Sequence, residues 1–144
     1  MNREIKFRGK NKIGWIKGVL SYQNIKNEIV PCIYDGYMYC VVNQNTICQF
    51  IGLCDKKSKE AYFNDIVKFT PKVLNCFGSE YIDANYELLA VIEANEYNHS
   101  VLRILHNKGQ FKKNEVYHIE GLLNGEIVGN IYDNKELLET NLRD

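Results

Sequence analysis

Near the start of the chain Ile5 and Phe7 alternate with Lys6 and Arg8. A period of two puts the apolar pair on one side and the cations on the other, predicting a half-buried strand over residues 4–8. After the polar turn Gly9-Lys10-Asn11-Lys12, residues 13–22 are rich in Ile, Trp, Val, Leu and Tyr and contain Gly14 and Gly18, so a second, curved strand is expected. Asp35-Gly36 separates the apolar runs 29–34 and 37–42, a two-residue hairpin signal. The register that follows sets Tyr34 opposite Tyr37, Cys32 opposite Tyr39 and Val30 opposite Val41. Pro31 cannot donate to a ladder, so its strand belongs at an edge or bulge.

Further along, 46–53 reads as a short strand ended by the polar turn 55–60, and 61–69 as another closed by Pro71. Residues 72–85 have no clear period and read as a surface insertion. The stretch 86–96 mixes helical and strand spacing, with a strand favoured in its second half. Strands follow over 101–106 and 116–123, and Asn124-Gly125 predicts a second tight hairpin into 126–132. Asp133 and Glu136 have capping-box spacing ahead of Leu137 and Leu138, predicting a brief C-terminal helix. The fold class is therefore mainly β, with short antiparallel strands and a short C-terminal helix. A change of composition near residue 54 divides it into an N-terminal β subdomain of basic strands and hairpin (1–53) and a second subdomain (54–144).

With 144 residues, 45% apolar and 25% charged, the chain can bury a core without staples, and disorder is excluded. There is no apolar run of the length of a membrane span and no signal-peptide core at the start, so a cytoplasmic protein is expected. Eighteen basic residues balance eighteen acidic ones, which argues against general attraction to nucleic acid. The balance conceals an asymmetry: Arg3, Lys6, Arg8, Lys10, Lys12, Lys17 and Lys26 face only Glu4 within residues 1–26, a net of +6 that leaves −6 for the rest. Such a stretch suits a phosphate site, and equally a solvated surface or a face that docks on the acidic segment 115–144 of a second copy. The five cysteines are odd in number and too widely spaced for a zinc pattern, so reduced thiols are expected, with Cys32 and Cys40 acting as small core hydrophobes.

Catalytic chemistry finds little footing. His99, His106 and His118 lie in no nucleophile motif, and Gly9 and Gly14 bracket Lys10 and Lys12 at a spacing that fits neither a P-loop nor a dinucleotide fingerprint. Asp55 and Asp65 sit where a carboxylate fixes a turn. Trp15 and Tyr37 lie in or beside the basic region, and cations interleaved with aromatics can clamp a nucleotide. Arg3, Lys6 and Arg8 are then the phosphate-pairing candidates and Trp15 and Tyr37 the stacking candidates; the other reading of these rings is as core or subunit-interface filling. No catalytic residue, metal or cofactor is expected.

Three stretches, Arg3-Glu4-Ile5-Lys6-Phe7-Arg8, then Gly52-Leu53 through Asp55-Lys56 and Lys59-Glu60 to Asp65-Ile66-Val67-Lys68-Phe69, and finally Ile127 to Asn134 with Glu136-Leu137-Leu138, together resemble the YopX family of phage and prophage proteins. Asn64 stands where the family usually has glycine, and Asn tolerates positive φ. Ala94 falls where a tryptophan is common, so no role of that ring carries over. The resemblance implies a homo-oligomeric phage accessory protein without established catalytic residues, and an SH3-like small barrel for 54–144, a fold that hosts many functions. The expected role is non-enzymatic and anti-defence: binding and sequestering a nucleotide-type host immune signal in the host cell cytoplasm. Two alternatives stand beside it, a nucleic-acid binding module on the same basic strands and a structural or protein-binding phage protein acting on a host defence factor.

Overall fold

A computed structural model describes residues 4–139, so Arg3 lies outside the described residues. The chain forms two compact units, Met1–Leu53 and Cys54–Asp144.

The first unit is an antiparallel sheet of β1 (Phe7–Lys10), β2 (Trp15–Ile25), β3 (Glu28–Tyr34), β4 (Tyr39–Val41) and β5 (Cys48–Cys54), in the order β4-β3-β2-β1-β5. Its tight two-residue turn is Lys26-Asn27, both at positive φ (52° and 68°), joining β2 to β3 with Ile25 opposite Glu28. The β3–β4 hairpin is looser than the Asp35-Gly36 pattern predicts. Asp35 Oδ1 accepts from the amides of Tyr37 and Met38 at 2.9 and 3.0 Å, so the loop takes four residues. Tyr34 therefore faces Tyr39, and Cys32 faces Val41. The slip from the expected register is two residues, which keeps every side chain on its expected face. Pro31 sits just beyond the β3–β4 pairs, its carbonyl accepting from Val42 N at 3.2 Å.

In the second unit β7 (Asp65–Phe69), β10 (Leu88–Ala94), β11 (Ser100–Ile104), β12 (Val116–Tyr117) and β13 (Glu126–Asn130) form a sheet ordered β12-β11-β10-β7-β13. Central strands β7 and β10 are apolar on both sides, and Ile66, Val67, Phe69, Leu88, Ala90, Val91 and Ile92 are buried. Ile66, Val91 and Leu105 carry one side of this core, against which Leu137 and Leu138 of the short helix α1 (Lys135–Leu138) pack. The predicted run 61–69 is interrupted between β6 (Glu60–Tyr62) and β7 by a turn in which Asn64 adopts φ 74°, the conformation its side chain tolerates.

Residues 72–85, read as a surface insertion, form the largely exposed hairpin of β8 (Lys72–Leu74) and β9 (Tyr81–Asp83). The structure departs from expectation at Asn124-Gly125, at the helix cap and in the closure of the second sheet. Asn124-Gly125 closes no hairpin, because residues 119–124 form a 3-10 turn and β13 joins β7 instead. Gly121 in that turn is closely packed: a Cβ there would lie 2.9 Å from the Phe69 ring and 3.0 Å from Leu102. The N-cap residue is Asn134, which makes no side-chain cap bond; its Oδ1 accepts from Asn130 N at 3.1 Å, and Asp133 Oδ2 accepts from Asn130 Nδ2 at 3.2 Å. Finally, the five-stranded sheet has β12 and β13 as edges, and among the described residues no pairing joins them into a closed barrel. The mainly β, antiparallel class with a short C-terminal helix holds.

Candidate functional site

The register of β1 determines what the basic stretch can do. Lys6, Arg8 and Lys10 lie on one face by the period of two, and pairing with β2 sets Lys10 opposite Trp15 and Arg8 opposite Lys17. The Arg8 guanidinium lies 4.6 Å from the Trp15 ring centroid and the Lys10 ammonium 5.9 Å from it, so the indole is a platform for cations of its own sheet. Arg8 is buried. Lys6 lies 5.4 Å over the Phe50 ring and pairs with Glu4 at 3.4 Å. Arg8 and Trp15 are thus brought together, as a stack within the protein.

Tyr37 is elsewhere. It occupies the tip of the β3–β4 hairpin, 93% exposed, while Trp15 starts β2 beside Lys10. Its neighbour Asp35 is held below the usual carboxylate range by the amides of Met38 and Tyr37, so the tip carries a fixed negative charge. A phosphate beside Tyr37 would meet that charge.

Beyond the end of the β1–β5 pairing, the chain builds a groove. Lys10 N donates to Thr46 Oγ1 at 2.8 Å, Thr46 Oγ1 donates to Asn43 O at 2.7 Å, and Asn43 N donates to Lys10 O at 2.8 Å, closing the 3-10 turn at 44–46 against the strand end. On the other side Asn11 Oδ1 accepts from Ile13 N and Gly14 N, and its Nδ2 donates to Val41 O at 3.1 Å. These bonds tie the β1–β2 turn to β4. Between them lies an open groove of about 490 Å³ lined by Lys10, Asn11, Lys12, Val41, Val42, Asn43 and Thr46. That volume falls within the ~300–1,000 Å³ of small-molecule sites. Two valines contribute apolar surface and Lys10 and Lys12 the charge, with no carboxylate, imidazole or thiol in the lining. The groove therefore joins positive charge to an apolar wall.

Of the residues singled out from the sequence, Lys6, Arg8, Trp15 and Tyr37 do not line this groove. Lys10 and Lys12 were visible as charges, but Asn43 and Thr46 gave no signal beyond a polar interval between two strands, where Asn43 starts a turn by accepting from Asn45 N. The three histidines and five cysteines do not converge on this groove; His106 is buried, and all five cysteines are free thiols. No helix among the described residues is long and apolar enough to cross a membrane.

The molecule is thus an antiparallel β protein of two units, with a basic groove on the first. Residues 6–139 match the family described as YopX protein, and the chain belongs to that family, which marks it as a phage-type protein. No curated protein matches the chain.

Proposed function

We propose that this phage-type protein is a non-enzymatic accessory factor that blunts host defence in the host cytoplasm by sequestering a nucleotide-type immune signal as a homo-oligomer. The observation that supports it is the groove in which Lys10 and Lys12 lie with the valine side chains of β4 and its flank. Two ammonium groups suit a pair of phosphates, and the apolar surface suits the flat side of a base or ribose. Trp15 contributes by holding Lys10 at the groove through its ring rather than by stacking on the ligand. A small-barrel reading of the second unit fits the same picture of a carrier without chemistry. There β7, β10, β11 and β12 follow one another across the sheet and β13 returns, through a 3-10 turn, to the free edge of β7. We read this order as SH3-like, with the sheet left open between β12 and β13.

A second reading, a nucleic-acid module, is favoured by Lys6, Lys10 and Lys17, which share a sheet face with the buried Arg8. Salt separates the two, since affinity falls by about 0.7–0.9 log units per tenfold salt for every phosphate neutralised. Titration calorimetry with ADP-ribose and cyclic dinucleotides is expected to show only a weak salt dependence, because a small nucleotide carries no condensed counterion atmosphere to release. Replacing Lys10 and Lys12 together by Glu should then weaken binding at least ~100-fold, from two lost charge-assisted contacts of about 1.5–3 kcal/mol each. A slope that grows with oligonucleotide length would assign the face to nucleic acid, and undiminished nucleotide binding by the double variant would overturn the groove as the site.

A further inference from the structure

The second unit has a larger cleft that the nucleotide reading leaves unused. It has a volume of about 690 Å³ and is lined by Lys72 and Tyr81 of the β8–β9 hairpin, Tyr117 at the end of β12, and His118, Glu120, Gly121, Leu123 and Asn124 of the 3-10 turn and its cap. We propose that this cleft docks a proline-rich segment of a partner protein, in polyproline II conformation and flanked by basic residues.

The chemistry of the walls carries the proposal. Tyr117 is fixed from behind, its ring 5.0 Å from Phe69 and 5.9 Å from Phe111, and its hydroxyl accepts from Lys72 N at 2.8 Å. Tyr81 and Leu123, also in the lining, are 70% and 55% exposed, apolar side chains left in water by the free chain. Flat rings beside small apolar surfaces suit pyrrolidine rings, and a polyproline II strand presents one such edge every three residues, about 9 Å. That strand makes no internal hydrogen bonds, so its carbonyls need donors; the Tyr117 hydroxyl, Tyr81 and the Asn124 amide supply them. Because the ligand is ordered before it binds, a shallow cleft can hold it at low entropic cost.

Charge selects between occupants. The single lysine in the lining, Lys72, is already paired with Asp83 at 2.5 Å, while Glu120 has no ion-pair partner among the described residues. A phosphate-bearing ligand would meet an unmatched carboxylate, and a peptide flanked by arginine would satisfy it. The cleft and the basic groove of the first unit are therefore opposite in preference, and this inference does not depend on the nucleotide reading.

Fluorescence anisotropy with the full chain tests it, using labelled twelve-residue peptides that carry Pro-x-x-Pro beside two arginines, matched peptides with the prolines replaced by alanine, and a matched set lacking the arginines. The proline peptides are expected to bind in the micromolar range, at least ~10-fold tighter than their alanine counterparts. Tyr81→Ala, on an exposed hairpin, should keep the wild-type melting temperature and lose about tenfold in affinity; Glu120→Lys should lose affinity only for the arginine-bearing set. Equal binding of proline and alanine peptides, no binding by any peptide, or wild-type affinity in Tyr81→Ala would overturn the proposal. So would loss of nucleotide binding or of self-association in Tyr81→Ala, since each would assign the cleft a different occupant.

Discussion

Asp55→Ala is expected to lower stability by about 3–4 kcal/mol, because the carboxylate organises a buried junction and its loss strands several donors at once. Asp55 Oδ1 accepts from Lys57 N and Lys59 N, and Oδ2 from Ile127 N, each at 2.9 Å. A single side chain thus shapes the 55–59 turn and ties it to β13, 72 residues away. For a domain of this size the change corresponds to a fall in melting temperature on the order of 10–15 °C. The pH dependence has a definite sign. Burial pushes the carboxyl up, but the amides of Ile127, Lys59 and Lys57, with the Lys59 charge, outweigh it and hold it below its ordinary 3.8. A group whose folded pKa is depressed contributes stability that is complete above its unfolded pKa and is lost as pH falls through the folded value. Urea melts from pH 7 downward should therefore show stability falling below about pH 4, with a shallower slope in Asp55→Asn. Wild-type stability in Asp55→Ala, or identical acid slopes, would contradict this.

Gly18→Ala is the second large effect. At φ 155°, an added Cβ would overlap the Tyr34 carbonyl oxygen and lie 2.9 Å from its carbon, with Asp35 Cα at 3.2 Å. These are backbone atoms, which cannot rotate aside, so the β2–β3 ladder must open near the Val19–Tyr34 pair. The cost is roughly 3 kcal/mol or more, combining overpacking with an unfavourable backbone conformation. Gly14 is the control: its φ is 144° but nothing lies within 4 Å of a Cβ there, so Gly14→Ala pays the conformational part alone, about 1–2 kcal/mol. Hydrogen exchange should show lost protection at Leu20 and Ile33 in Gly18→Ala and near-native protection in Gly14→Ala. Equal protection in the two variants would show that the close approach to Tyr34 is not what requires glycine.

Elements set by side-chain patterning are legible in the sequence, and those set by hydrogen-bond accounting are not. Alternation placed a strand at the start, and the apolar Ile66-Val67 run marked the centre of the second unit, because burial on both faces leaves no other solution. Asn64 could be read as a positive-φ turn residue. Asp35-Gly36 and Asn124-Gly125 carry the same hairpin signal, yet one became a four-residue loop through Asp35 Oδ1 and the other the end of a 3-10 turn. The tight turn at Lys26-Asn27 lacks a glycine and was silent. Hairpin β8–β9 was invisible because its face is mostly exposed, Leu74, Tyr81 and Ile82 included, so no buried period marks it.

For the candidate site the limit was tertiary. The number of cations near the N terminus could be counted, but not that Arg8 would be buried on Trp15 while Lys10 and Lys12 line a groove. Nor could Tyr37 be separated from Trp15 without knowing that its loop takes four residues and ends in an exposed tip. Asn43 and Thr46 complete the groove through three short bonds to Lys10 and to each other, contacts spanning up to 36 residues that no local pattern encodes.

The central claim is that the first unit holds a nucleotide-type anion in an assembled protein. Native mass spectrometry tests it in one spectrum, recorded on purified protein with and without a mixture of cyclic and ADP-ribose-type nucleotides. The prediction is an oligomer that gains a nucleotide mass, with the gain abolished when Lys10 and Lys12 are both replaced by Glu. A spectrum in which no species gains mass from the mixture would contradict it and move the function to a protein partner.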